Sequence, residues 1–169
     1  KSSLTYEISL NNLGVCKQFH SEPKTLTLCS TINTSHKKGI NCMAMFGPDK
    51  FATGANDFII RIWDLSTFKF IKGFKCERIP YSLLTLEDEF GCPVLISGHA
   101  EGYLIVVTEN LEIKHVFKEQ DSLISSIIAL NDGRTVIAGS YDATIVLYDI
   151  KNCVAITKIT EHIESLNCL

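Results

Sequence analysis

The sequence predicts an all-β chain built from repeated four-stranded antiparallel units. Residues 36–64 contain three short strands, separated by the turn Gly47-Pro48-Asp49 and by the polar turn Ala55-Asn56-Asp57. Apolar, β-branched and aromatic residues dominate the third strand, at 58–63. The pattern recurs at spacings of 41 to 44 residues, and no segment of useful length shows a helical period. These observations favour a repeat protein made of short strands.

Two alignments within the chain define the repeat. Residues 36–43 align with residues 162–169 at an offset of 126, which is three times 42. Between them, a glycine followed three residues later by an acidic residue recurs at Gly54 and Asp57, Gly98 and Glu101, and Gly139 and Asp142. Since the two alignments agree, the repeat has a period near 42 residues.

The repeat divides the chain into five parts. Residues 1–35 are predicted to be the end of a preceding, degenerate unit, and residues 161–169 to begin a following unit and stop inside its first strand. Whole units are predicted at 36–76, 77–117 and 118–160. Open sheet edges are avoided when such units close into a ring. We therefore expect the remaining units to come from the rest of a longer chain or from a partner.

The pattern in residues 36–64 resembles a WD repeat, the unit that forms one blade of a β-propeller. In that family a histidine before the first strand, a hydroxyl residue on the second, an aspartate in the next turn and a tryptophan on the third form a structural tetrad. The matching residues are His36, Thr53, Asp57 and Trp63. The resemblance implies a segment of a WD-repeat propeller, with WD-like blades at 36–76 and 118–160 and a degenerate blade at 77–117.

The other units match this tetrad only in part. Val107 stands at the tryptophan position of the second unit, and Ala138 at the hydroxyl position of the third. The partial matches are Ser97 and Glu101 in the second unit, Asp142 and Tyr148 in the third, and His162 in the last.

A hydroxyl, an imidazole and a carboxylate can also form a catalytic triad. We favour the structural interpretation, because buried polar groups need hydrogen-bond partners and the nucleophile motif Gly-x-Ser-x-Gly is absent from the chain. The seven cysteines include no Cys-x-x-Cys pair, which argues against a zinc site or a disulfide framework. We expect no catalytic residues, metal or cofactor, and an intracellular location, cytoplasmic or nuclear.

Charge is distributed unevenly along the 169 residues. Residues 1–85 hold 11 basic and 6 acidic side chains, whereas residues 86–169 hold 5 and 13. This distribution is explained either by ordinary solvated surface or by two faces that meet partners of opposite sign. No run of about eighteen apolar residues is present, so we expect no transmembrane segment.

The resemblance implies that the loops leading into each blade share one face with the turns between second and third strands. In the family this face commonly docks other proteins. The candidate partner-binding residues are Lys37, Lys38, Asn56, Arg78, His99, Glu119 and Tyr141. We expect a non-catalytic scaffold for protein–protein interaction.

Two alternatives remain open: a propeller that binds membrane phosphoinositides or RNA, and a propeller domain appended to an enzyme. A basic strip at Lys69, Lys72, Lys75 and Arg78 would suit an anionic ligand, but it does not keep the two-residue period of one strand face. The Phe-Arg-Arg-Gly signature of phosphoinositide-binding propellers is absent. The weak basic pattern also argues against nucleic-acid binding.

Overall fold

The computed structural model describes residues 34–168, which form three four-stranded antiparallel sheets with strand order following the chain. We call the sheets blades 1, 2 and 3. Blade 1 contains β1 (Ile40–Met45), β2 (Lys50–Ala55), β3 (Ile59–Asp64) and β4 (Phe70–Lys75). Blade 2 contains β5 (Pro80–Glu87), β6 (Pro93–His99), β7 (Tyr103–Val107) and β8 (Ile113–Lys118), with a 3₁₀ turn at Ala100–Gly102. Blade 3 contains β9 (Ile124–Ala129), β10 (Thr135–Ser140), β11 (Ile145–Asp149) and β12 (Val154–Ile159).

The predicted all-β fold of four-stranded antiparallel blades is confirmed. The twelve strands lie between residues 40 and 159, and each sheet has four of them. The degenerate blade expected in residues 1–35 lies almost entirely outside the described residues. Within residues 34–168 no helix is long and apolar enough to cross a membrane.

The blades pack face to face through the apolar side chains of their middle strands. One core joins blades 1 and 2 through Ala52, Ile60 and Ile62 with Leu95, Ile105 and Val107. A second core joins blades 2 and 3 through Val94, Ile96 and Val106 with Val136, Val146 and Tyr148. Alternate residues of β6 and β7 therefore serve different cores, which explains why both strands are apolar along almost their whole length.

Neighbouring blades are also linked by hydrogen bonds from a side chain on one first strand to a backbone carbonyl of the next. Asn41 Nδ2 donates to the Pro80 carbonyl at 3.1 Å, and Ser82 Oγ donates to the Ile124 carbonyl at 2.9 Å. Ser125 Oγ donates to the carbonyl of Leu166. The first strand of each blade has an irregular register close to these residues, as a β-bulge produces.

The strand predicted at the start of residues 161–169 is not formed in the described part of that segment. Leu166 forms two hydrogen bonds to blade 3. Its N–H donates to the Ser140 carbonyl, and its carbonyl accepts from Ser125 Oγ. Ile163 is almost fully exposed. A strand needs a ladder of backbone bonds to a neighbour, and two bonds at one residue do not make one.

Candidate functional site

Each blade joins its leading loop to the turn between its second and third strands by an equivalent backbone hydrogen bond. In blade 1 the Asn56 N–H donates to the Gly39 carbonyl at 2.9 Å. In blade 2 the Ala100 N–H donates to the Ile79 carbonyl at 3.0 Å, and in blade 3 the Tyr141 N–H donates to the Leu123 carbonyl at 3.1 Å. The loops and turns joined in this way form the surface that we call the loop face.

Under the loop face of blade 1, four predicted residues form one chain of hydrogen bonds. Trp63 Nε1 donates to Thr53 Oγ1 at 2.9 Å, and Thr53 Oγ1 lies 2.9 Å from His36 Nε2. His36 Nδ1 lies 3.0 Å from Asp57 Oδ1. With Nδ1 protonated, each donor in this chain has an acceptor.

Arg61 is a further member of this network that the sequence pattern did not reveal. Its guanidinium lies 3.1 Å from Asp57 Oδ2 and against His36. The Lys37 N–H also donates to Asp57 Oδ2, at 3.1 Å. Although burial opposes ionisation, the bonds from Lys37, His36 and Arg61 lower the pKa of Asp57 to about 2. Asp57 is therefore a firmly ionised acceptor that joins the leading loop to the turn.

Blade 2 forms a similar contact between an imidazole and a hydroxyl, with a histidine at a different position in the chain. His99 Nε2 lies 2.8 Å from Ser97 Oγ, and Nδ1 lies 3.0 Å from the Arg78 carbonyl. His99 is fully buried. The expectation that it belongs to an exposed partner-binding face is therefore wrong. Its side chain turns inward because both ring nitrogens have partners in the interior, and burial lowers its pKa to about 4.

Glu101, the predicted partial match in blade 2, lies apart from this pair. Its carboxylate accepts a hydrogen bond from Arg78 Nε at 3.1 Å on the exposed surface. The Arg78 guanidinium also lies 3.7 Å from the centroid of the Tyr103 ring, a cation–π geometry. No hydrogen bond joins the side chains of Ser97 and Glu101, both within the described part of the chain.

In blade 3 a glutamine lies where blade 1 has its histidine. Gln120 Nε2 donates to the Thr144 carbonyl at 3.0 Å and to Thr144 Oγ1 at 3.1 Å. The hydroxyl position is Ala138, and the tryptophan position is the fully buried Tyr148. Gln120 Oε1 and the Tyr148 hydroxyl are buried polar atoms with no hydrogen-bond partner in the described part of the chain. The sequence could have suggested Gln120, since it lies 84 residues, two periods, after His36.

Asp142 makes the same link in blade 3 that Asp57 makes in blade 1. It accepts the Asp121 N–H at 2.6 Å, so the leading loop is bonded to the turn. It also accepts from the backbone and hydroxyl of Thr144, at 3.0 and 2.6 Å. Burial opposes ionisation, but these bonds outweigh it and lower the pKa of Asp142.

The remaining predicted residues of the loop face differ in their solvent exposure and in their hydrogen bonds. Lys37, Lys38, Glu119 and Tyr141 are exposed. Asn56 is half-buried, and its Oδ1 accepts a bond from Asn41 at 2.7 Å. The His162 side chain, in the segment after β12, is exposed to solvent. In the basic strip, Lys72 already bonds the Glu109 carbonyl and Arg78 bonds Glu77 and Glu101.

Phe58 is an exposed aromatic residue of the loop face that the sequence pattern did not single out. Its backbone has φ +65°, and Gly102 and Ala143 occupy the equivalent left-handed positions of blades 2 and 3. This conformation is rare for a bulky residue. Phe58 lines a hollow with Asp57, Lys75, Cys76 and Glu77.

The described cysteines and acidic side chains do not form a metal or redox centre. Within residues 34–168 no three His, Cys, Asp or Glu side chains are grouped so that they could hold a metal ion. No disulfide joins the five described cysteines. Burial raises the pKa of Cys42 and of Cys76 to about 12, which makes both poor nucleophiles.

Comparison with known proteins agrees with this architecture. The family model described as "WD domain, G-beta repeat" matches residues 27–64 and 111–149. The unmatched segment between them contains most of blade 2, where the tetrad pattern is weakest. No curated protein matches the chain.

Two solved structures show the same fold. One is described as "Structure of U3-55K" and the other as "Crystal structure of RRP9 WD40 repeats"; each aligns with a TM-score of 0.73 at 11% identity and covers 82% of this chain. The chain spans less than half of them, 44% and 43% of their lengths.

The four-stranded blades and the hydrogen-bonded loop face define a β-propeller segment. Residues 27–64 and 111–149 match the WD-repeat family model, and the fold is that of a segment of a WD-repeat β-propeller.

Proposed function

We propose that this chain is a non-catalytic scaffold that binds other proteins through its loop face. The observation that supports this most directly is the set of three equivalent backbone bonds at Asn56, Ala100 and Tyr141. These bonds hold the loops of all three blades in fixed positions, so a partner does not have to order them on binding. Tyr141 is 44% exposed on this face and supplies a rigid aromatic anchor.

We further propose that His36, Thr53, Asp57 and Trp63 are structural and not catalytic. Their polar groups are engaged with one another, and both Asp57 and the indole N–H have partners within the network. A nucleophile needs a free path to substrate, whereas Thr53 is 2% exposed. The partial matches Ser97, Asp142 and Tyr148 are buried or half-buried in the same layer and fit the same role.

The experiment compares partner capture by the wild-type protein, Tyr141→Ala and Phe90→Ala. Phe90 is a matched control, because it is an aromatic residue 82% exposed in the loop between β5 and β6, at the opposite end of the blade. We expect Tyr141→Ala to lose specific partners in quantitative affinity capture while Phe90→Ala retains them, with both variants as stable as wild type. Equal capture by all three proteins would contradict the proposal.

A further inference from the structure

The loop face has opposite charge at its two ends. At the blade 1 end, Lys37, Lys38 and Lys75 are exposed, and Lys75 lines a hollow together with Phe58. At the blade 3 end, Glu119, Glu161 and Glu164 are exposed and belong to the loops next to Tyr141. We call these two groups of three the basic pole and the acidic pole.

The charges of both poles are free. None of the six side chains forms a salt bridge to another described residue. Charges of blade 2 between the poles are paired instead, since Arg78 bonds both Glu77 and Glu101. At the blade 3 end Lys118 is paired with Asp121 and Lys158 bonds the Glu119 carbonyl, so acidic groups still outnumber basic ones there. The exposed charge of the loop face therefore changes sign from blade 1 to blade 3.

Each end of the loop face also has an exposed aromatic residue. Phe58 is 37% exposed and lines the hollow that also contains Lys75. The Lys37 N–H bonds Asp57, the residue next to Phe58, so the leading loop with Lys37 is joined to the turn that carries this ring. On the other side, Tyr141 precedes Asp142, which bonds the leading loop that follows Glu119. An aromatic surface with charge around it is a usual combination for binding an extended segment.

We propose that the loop face binds a protein segment that carries an acidic block and a basic block, the acidic block at Lys37, Lys38 and Lys75 and the basic block at Glu119, Glu161 and Glu164. The inference rests on the proposed docking role of this face and specifies the chemistry of the partner. A uniformly anionic ligand would be repelled at the acidic pole, so a segment of both signs matches the face better.

The test uses three synthetic peptides with fluorescent labels: an acidic block with one phenylalanine, a basic block with one tyrosine, and both blocks joined by Gly-Ser spacers of graded length. The joined peptide should bind the wild-type chain at least about tenfold more tightly than either block, because the second contact becomes intramolecular. Binding should weaken as salt rises. A peptide of the same composition with its charges interspersed is the control.

Charge reversal at each pole locates the two contacts. Lys37→Glu with Lys38→Glu should abolish binding of the acidic block only, and Glu161→Lys with Glu164→Lys should abolish binding of the basic block only. Matched controls toward the opposite end of the blades are Lys69→Glu with Lys114→Glu, and Glu87→Lys with Glu112→Lys, which are exposed and form no salt bridge with a described residue, and which should leave all affinities within about twofold. Equal affinity for the joined and interspersed peptides, no binding of the joined peptide, or equal effects of pole and control reversals would overturn the inference.

The same variants separate this inference from the proposed function. If Tyr141→Ala loses its partners while both pole reversals retain them, the loop face docks proteins and the charge inference is wrong. If Tyr141→Ala and the pole reversals all retain the captured partners, the docking role of the face fails as well.

Discussion

His99 Nε2 lies 2.8 Å from the Ser97 hydroxyl oxygen in blade 2, as His36 Nε2 lies 2.9 Å from Thr53 Oγ1 in blade 1. The first pair is separated by 2 residues and the second by 17. Blade 2 therefore obtains an imidazole–hydroxyl contact from the end of its own second strand, without a histidine in its leading loop. The two histidines differ in their surroundings: His36 faces a carboxylate, whereas His99 faces a backbone carbonyl.

The burial of His99 predicts acid sensitivity. Its folded-state pKa of about 4 lies below the ordinary value of 6.5, so the unfolded state binds the proton more readily. Stability should therefore fall as the pH decreases from 6.5 to 4, by roughly 3 kcal/mol. In urea titrations across this range, His99→Gln should flatten the pH dependence of the free energy of unfolding. A wild-type slope retained in His99→Gln would contradict this assignment.

Asp57 should matter more for stability than its counterpart in blade 2. Asp57→Ala removes the acceptor of Arg61, His36 and the Lys37 N–H, and should lower the free energy of unfolding by roughly 1–3 kcal/mol. Glu101→Ala removes only an exposed contact to Arg78 and should cost less than about 1 kcal/mol. Chemical denaturation of both variants measures the difference. A neutral Asp57→Ala would show that the network contributes nothing to stability.

Removing the hydroxyl group of Thr53 and removing that of Tyr148 should have different effects on the free energy of unfolding. Thr53→Val leaves Trp63 Nε1 and His36 Nε2 without a partner and should cost roughly 1–3 kcal/mol. The Tyr148 hydroxyl is buried and has no partner among the described residues, so Tyr148→Phe should be neutral or stabilise by up to about 1 kcal/mol. Urea unfolding midpoints give both values. A large loss of stability in Tyr148→Phe would indicate an unrecognised partner for this hydroxyl.

Gly102 and Gly133 provide a matched pair for the tight contact between blades 2 and 3. Both have positive φ, +75° and +68°, so alanine costs about 1 kcal/mol of backbone strain at either position. A Cβ on Gly102 would overlap the Gln120 carbonyl, whereas a Cβ on Gly133 meets no atom within 4 Å. Thermal unfolding should show a much larger loss for Gly102→Ala than for Gly133→Ala. Equal losses would mean that the leading loop of blade 3 moves aside without cost.

The strands could be predicted because their signal is local. Alternation and turn residues such as Gly47 are properties of adjacent positions, and every predicted strand in residues 36–160 is present. The roles of Thr53 and Asp57 followed from the resemblance to a WD repeat. In contrast, the inward turn of His99 depends on a carbonyl 21 residues away, at Arg78. No periodic pattern carries that information.

The role of Gln120 was missed for a chemical reason. Its amide replaces an imidazole as the donor under the loop face, and a search for histidine does not detect this exchange. Arg61 and Phe58 were missed because an arginine on a strand and a phenylalanine after a turn are ordinary in composition. Only their contacts and backbone angle distinguish them.

The bonds from Asn41 and Ser82 end on backbone carbonyls of the next blade, and the bond from Ser125 ends on the carbonyl of Leu166. Every residue type has a carbonyl, so the receiving blade contributes to the junction whatever its own side chains are. Mutations in a receiving blade are therefore buffered at this contact during evolution. Blade 2 has Val107 at the tryptophan position and blade 3 has Gln120 at the histidine position, and the bonds into both blades are present. Repeats joined in this way can diverge at different rates after a gene duplicates them.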